Sequence, residues 1–395
     1  MRSIKLVSLA LLVSVLSASD NSGLLSALKQ EKLNIDRQKV ELDSDNLKYD
    51  WVNQITGSYT KNYFDGKKGT VDNSDSLSIT INQPIFKSGG IFYAIKYAGA
   101  NREFSRLSTL LSEQNLIKSV VSSWLSLKKY DLQIQRQKYL IANAKIDIIR
   151  KKEQYESGFL DSSFLDNAIL SKTTLEKNLI DMESARYAGL MTFKSISDTN
   201  YKDLTPPTFS MVTQQNYMKK SLSIEQQTAA RKKAQYLKKM TVANYLPTLS
   251  LVGGLYKYSD NANLSDDSYN QIGLKISMPL FDINRGRTIE LRQLDYLKSN
   301  LELQDTQKEE EKIYQQYVKK VEFLGKKVNI VKLDAKLYDS LLNSTQELYE
   351  AGEKTSYDVE NLRNSKQTML LDKKIYKVEI QQTLLELYAK MHGKI

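Results

Sequence analysis

Two glycine turns hold the side chains in this sequence best placed to do chemistry. YESGFLDSSFLD at 155–166 carries Asp161 and Asp166, and YEAGEKTSYDVE at 349–360 carries Lys354 and Asp358, with Asn361 next along. A carboxylate just after such a turn caps the helix that follows, because the helix dipole favours negative charge there. Other chemistries find little footing. The chain has no cysteine, which excludes thiolate catalysis, disulfides and cysteine-held metals. Its one histidine, His392, lies in MHGKI at the C-terminus. There is no Gly-rich phosphate loop, paired-histidine metal motif or nucleophile elbow. We expect no enzyme, no cofactor and no metal.

The turns belong to a larger duplication. Gly158 and Gly352 stand 194 residues apart, and the strand-like endings ITINQPIF (79–86) and LKISMPLF (274–281) stand 195 apart. Pro84 matches Pro279 and Phe86 matches Phe281, in a chain with only 5 prolines. The spacing predicts two repeats, 20–198 and 212–395, joined by a linker at 199–211. Repeat one reads as a helix, a β-hairpin over about 51–86, a long helix over about 90–155 and a return helix over about 162–197. Repeat two reads as a helix over about 212–244, a hairpin over about 247–281, a long helix over about 286–349 and a return helix over about 356–392. A unit of about 190 residues is too long for a solenoid repeat.

Each long helix would measure roughly 95–100 Å at 1.5 Å per residue, more than a globular domain can house. This predicts a rod in which a long helix packs against two shorter helices stacked end to end. In the second long helix, Tyr314, Tyr317, Val321, Leu324, Val328, Val331, Ala335, Tyr338 and Leu342 form a heptad seam. A second stripe, Phe323, Ile330, Leu333, Leu337 and Leu341, lies beside it. Two seams suit a helix with neighbours on both sides, as in a closed ring; a dimeric coiled coil is the plainer alternative. The first long helix keeps a looser stripe through Val120, Leu127, Ile134, Ile141 and Ile148.

The hairpins alternate. Leu77, Ile79 and Ile81 oppose Ser78, Thr80 and Asn82, while Ile272, Leu274, Ile276 and Met278 alternate with Gly273, Lys275 and Ser277. Segments of about 9–12 residues have the length of a membrane-crossing strand. Four such strands cannot close a barrel, and an open edge in lipid leaves backbone groups unpaired. Two hairpins on a soluble sheet would alternate in the same way.

Composition adds a compartment. MRSIK followed by LVSLALLVSVL and Ser-Ala-Ser reads as a secretory signal over residues 1–19. Its removal leaves +9 of the formal net charge of +11. An exported chain rarely meets nucleic acid, so we read the lysines as solvated helix faces and expect no nucleic-acid partner.

In this order, YLPTLSLVGGLY (245–256), LKISMPLFDINRGR (274–287), their degenerate partners in the first repeat and the two glycine turns resemble the TolC-like outer membrane efflux proteins. The resemblance covers essentially the whole mature chain. It implies an α+β membrane protein: a homotrimer with a twelve-stranded barrel in outer membrane lipid, four strands per chain, above a long α-helical periplasmic tunnel. The implied function is a passive exit duct for efflux or type I secretion. It would be fed through a periplasmic adaptor by an inner-membrane transporter of RND or ABC type. By the same resemblance, Pro84, Phe86, Pro279 and Phe281 mark the elbows where strand becomes helix. The turn after the second long helix would be the periplasmic entrance. Asp358 matches a position whose copies form an acidic ring, Lys354 matches one that helps hold the closed state, and Asn361 departs from a second acidic ring. Asp161 and Asp166 lie in the equivalent turn of the first repeat. The competing reading is an exported coiled-coil adaptor that bridges the envelope without conducting.

Overall fold

The computed structural model describes residues 24–65, 71–205, 207–260 and 265–393. The proposed signal and Pro206 of the linker lie outside them. The elements run α1 (Ala27–Tyr49), β1 (Thr56–Asp65), β2 (Val71–Phe86), α2 (Gly90–Glu156), α3 (Ser162–Lys194), α4 (Gln214–Lys220), α5 (Leu222–Ala243), β3 (Thr248–Asp260), β4 (Ser265–Ser277), α6 (Arg285–Glu350) and α7 (Ser356–Tyr388). No helix among the described residues is long and apolar enough to cross a membrane.

The helices form one layer of four columns. Helix α2 packs against α1 and α3 on one flank and against α5 and α7 on the other, and α6 covers the far side of α5 and α7. Helices α2 and α6 have 67 and 66 residues, and each stays unbroken because no proline interrupts it. The short helices meet end to end midway along the layer. Ser26 N donates to Ile196 O at 2.8 Å, tying the start of α1 to the end of α3. Leu222 N donates to Lys390 O at 2.9 Å and His392 N to Lys220 O at 2.7 Å, tying α5 to the end of α7.

The single helix expected over 212–244 is therefore two. An antiparallel bridge between Ser221 and Met391 interrupts it, and Ser221 caps α5 by accepting from Ile224 N. A tertiary contact 170 residues away decides this break, so no local breaker announces it.

At this joint the linker crosses α2. Trp124 Nε1 donates to Tyr201 O at 2.6 Å, and Phe209 N donates to Gln381 Oε1 at 2.6 Å. Trp124, Phe193, Phe209, Leu125 and Leu385 close over one another as the largest buried cluster of the chain's described residues.

The four strands form one antiparallel sheet in the order β1-β2-β3-β4. β1, with 10 residues, has the 9–12 expected, whereas β3 and β4 run to 13 and β2 to 16. NYFDGKKGTVDNSDS, 62–76, reads as a polar loop, but 62–65 and 71–76 stay in the ladder, because β1 pairs with β2 from Val71 and β3 joins from Ser74, which faces both Asn62 and Asp260. The order of columns repeats the order of strands. Helix α1 leads into β1, β2 into α2, α5 into β3, and β4 into α6.

Candidate functional site

Sheet registers sort the side chains into two faces. Row by row, Tyr59 faces Leu77, Ile79 faces Leu255, Leu251 faces Leu274 and Leu249 faces Ile276. The opposite face carries Thr56, Ser58, Ser78, Thr80, Ser250, Gln271 and Lys275, and Ser58 and Ser78 share a hydrogen bond of 2.7 Å. On that same face Tyr256 stacks on Tyr269 at 4.8 Å between ring centroids. The apolar face is bare: Ile272, Leu274 and Ile276 are 82%, 67% and 76% exposed. A continuous bare apolar face marks a surface that meets lipid or another apolar surface. Two sheet edges are open as well, since β1 and β4 each pair on one side only.

The elbows differ between repeats. Pro84 does not end its ladder. It pairs with Ser250, and a bulge follows before Phe86 pairs with Leu249. A proline is tolerated here because β1 already leaves the ladder opposite Thr80, so one side of β2 needs no donor. Phe86 thereby lies on the apolar face beside Leu249, and it is 57% exposed. Pro279 lies two residues beyond the end of β4, and Phe281 is 88% exposed. After β2 the chain turns through Ser88 and Gly89, both at positive φ, with the Ser88 hydroxyl donating to Pro247 O at 2.6 Å.

The helical layer repeats this pattern of one satisfied and one bare flank. In α6 the heptad seam is buried or half-buried: Leu324, Val331 and Ala335 face α7 and its neighbours. The second stripe, Phe323, Ile330, Leu333, Leu337 and Leu341, is exposed. At the other end of the layer Leu28, Leu42, Leu170, Ile180 and Tyr187 of α1 and α3 are also exposed. Bare apolar stripes thus line both outer columns.

The far end of the layer holds the two glycine turns. Gly158 and Gly352 have φ of +74° and +80°, a region that glycine enters without a Cβ penalty. Each makes a Schellman cap: Gly352 N donates to Tyr349 O and Glu353 N to Leu348 O, as Gly158 N does to Tyr155 O and Phe159 N to Gln154 O. Asp161 caps α3 by accepting from Ser163 N at 2.9 Å, and that bond holds its carboxyl below the usual range. Asp166 and Lys354 are exposed, and Asn361 is half-buried with its carbonyl accepting from Asn143 Nδ2 at 3.3 Å.

Asp358 is the most engaged of these residues. It forms a capping box with Thr355, whose hydroxyl accepts from Asp358 N while Asp358 Oδ2 accepts from Thr355 N at 3.0 Å. Its other oxygen accepts from Arg150 of α2. The backbone bond from Thr355, then its hydroxyl and the Arg150 charge, hold this carboxyl below its ordinary value. Inside one chain Asp358 is a cap and an ion-pair partner that ties α7 to α2.

Sequence reasoning missed Arg150 and the ladder it terminates. Lys118–Glu386 at 3.3 Å, Lys129–Glu379 at 3.7 Å and Arg136–Asp372 at 2.9 Å climb the same α2–α7 seam. Its signal in the sequence is a seven-residue step, Lys129 to Arg136 on α2 and Asp372 to Glu379 to Glu386 on α7. A second missed group sits at the joint. Tyr217, fully buried, donates to Glu310 of α6, and Lys390 Nζ lies 3.0 Å from the other Glu310 oxygen. Burial, and then the bond to Glu310, push the Tyr217 phenol far above its ordinary range, so it remains a donor.

Residues 215–391 match the family model described as outer membrane efflux protein. No curated protein matches the chain. Among solved structures, CusC aligns with a TM-score of 0.73 at 13% identity over 92% of this chain and 89% of its own. VceC of Vibrio cholerae aligns at 0.72 and 11%, over 93% and 94% of the two chains. CmeC of Campylobacter jejuni aligns at 0.72 and 13%, over 93% and 83%. At these identities the likeness is one of fold.

Proposed function

We propose that the whole chain, whose residues 215–391 match the outer membrane efflux protein model, is one third of an outer membrane channel that exports small molecules. The bare apolar sheet face carries this reading, because it stands on a sheet whose two edges are both open. With four alternating antiparallel strands, β4 of one copy runs antiparallel to β1 of the next, so identical copies can add without a mismatch. Two copies would give an eight-stranded barrel filled by its own side chains, whereas twelve strands from three copies enclose water. The helical columns close by the same operation. The exposed stripe of α6 in one chain faces the exposed stripes of α1 and α3 in the next. The apolar sheet face then meets outer membrane lipid, and the serine- and threonine-rich face lines the pore.

The tunnel beneath is the periplasmic part, and its glycine turns form the entrance. Asp358 copies near the axis supply an acidic ring, with Lys354, Asn361, Asp161 and Asp166 around it. The α2–α7 ladder, ending in Arg150–Asp358, holds that end together. A periplasmic adaptor and an inner-membrane transporter feed the entrance, and the proposed leader over residues 1–19 directs export. CmeC, an outer membrane channel, shares this fold and supports the reading.

The test is conduction. Purified protein added to a planar bilayer should give stepwise cation-preferring conductance and migrate as a trimer in detergent. A monomer that leaves the bilayer silent would overturn the channel and favour a non-conducting adaptor.

A further inference from the structure

Resting on the trimer proposed above, we infer the register in which the free edge of β4 meets the free edge of β1 in the next copy. Ser277 lies opposite Thr56, Leu274 opposite Tyr59, and Ser268 opposite Asp65.

The argument starts from a row inside one chain. Thr56 faces Thr80, Thr80 faces Gly254, and Gly254 faces Gln271. Continued into the next copy, that row must land an even number of residues from Thr56, or the apolar and polar faces would exchange. It must land above Thr56, because the residues below belong to the turn and α1. Each copy adds the same climb, and the climb sets the tilt of the strands. With strands about 4.8 Å apart and about 3.3 Å per residue, climbs of two and eight residues tilt twelve strands by about 19° and about 54°. Barrel strands tilt by about 35–45°, which leaves climbs of four, at about 35°, and six, at about 46°.

Two observations select six. With either climb all ten residues of β1 face residues of β4, but only with a climb of six do the two strands end flush, at Thr56 and Ser277. With a climb of four, Ile276 and Ser277 would have to pair with Ile55 and Gln54, which lie outside β1. The apolar band gives the second reason. Its upper limit is Leu77 on β2, Leu255 on β3 and Ile272 on β4, each with a polar residue (Asp75, Lys257, Asn270) two places above. Leu77 faces Lys257 and Leu255 faces Asn270, so the limit steps down two residues from β2 to β3 and again from β3 to β4, while Tyr59 faces Leu77 with no step between β1 and β2. The same step from Ile272 reaches Tyr59, the top of the apolar run of β1, only if Ile272 faces Lys61. That is the register with a climb of six, in which the limit descends at three of the four junctions between strands; with a climb of four Ile272 would face Tyr59 and it would descend at only two.

The chain has no cysteine, so paired cysteines report the register directly. Full-length protein in outer membranes carrying Tyr59→Cys with Leu274→Cys should oxidise to covalent dimers and trimers on a non-reducing gel. Tyr59→Cys with Ile272→Cys, one row off, should stay uncrosslinked, since cysteines with Cα atoms more than about 7 Å apart cannot bridge. On the pore side Thr60→Cys with Gly273→Cys should link as the first pair does, and this covers the case where the first pair does not assemble. Linking through Tyr59 and Ile272 instead, or no linking by the first and third pairs in an intact trimer, would overturn the register and leave the channel standing. A cysteine-free parent that never forms a trimer would overturn the channel reading itself.

Discussion

Replacing Lys390 with methionine should loosen the end of α7 and leave its tip in place. Lys390 is the only cation in contact with Glu310 among the described residues, and the Glu310 side chain is 4% exposed. Its remaining partner would be the Tyr217 hydroxyl. Removing one member of a fully buried pair costs about 3–5 kcal/mol, because the other charge stays buried without compensation. Lys390 is itself 32% exposed, so water can reach part of the gap, and we expect about 2–3 kcal/mol. At 1.36 kcal/mol per decade that is roughly a 30- to 150-fold rise in the open population. The amides that report it are those of Ala389, Lys390 and Met391, bonded to Leu385, Leu387 and Tyr388, and that of Leu222, bonded to Lys390. Hydrogen–deuterium exchange by mass spectrometry should show those amides exchanging faster by that factor, with peptides around Gly352 unchanged. Adding Glu310→Gln should restore most of the protection, because the uncompensated charge is gone. If Lys390→Met leaves exchange unchanged, or the double variant is no better protected than the single, the ion pair is not what holds the joint.

Three further outcomes are expected. Asp358 has a lowered carboxyl in the folded chain, so its contribution is present above the ordinary value of 3.8 and is lost as pH falls below that value. Exchange at the tip of α7 should therefore rise in wild type below about pH 4, and Asp358→Asn should remove that pH dependence while weakening cation preference in a bilayer. Gly352→Ala meets no atom within 4 Å but must hold φ at +80°, so it should cost about 1 kcal/mol, read as a lower melting temperature and faster exchange at the tip alone. Ser277→Cys should react with a water-soluble maleimide, whereas Ile276→Cys should react only with a membrane-permeant one; equal labelling would place both on the same side of the sheet.

Much of the architecture could be read from local pattern. The duplication showed in two glycine turns and two Pro-aliphatic-Phe endings, and the strand faces in a period of two. The two seams of α6 were visible because a heptad repeat needs no knowledge of the partner. What escaped depends on residues far apart in the chain. The break at Ser221 is made by Met391, and residues 71–76 are strand because β1 and β3 pair with them. Asp358 looked free to line a pore, yet Arg150, 208 residues earlier, takes one of its oxygens. Glu310 sits in the charged run KEEEK (308–312), and only the fold puts Tyr217 and Lys390 against it.

The middle of the sheet also sets the order of assembly. The β1–β2 and β3–β4 ladders are hairpins that can form as soon as each is made. The β2–β3 ladder joins Ser74 to Asp260 and so waits for most of the chain. Pairing over such separations is slow, because the loop entropy is lost before any contact rewards it. During that wait both hairpins carry bare apolar faces and unpaired edges through an aqueous compartment. The polar upper ends of the strands, Ser74–Ser76 and Asp267–Ser268, keep at least those stretches from joining the wrong partner. In the proposed trimer, closure with other copies comes last and depends on concentration, so the yield of finished channels should fall steeply when the chain is made slowly.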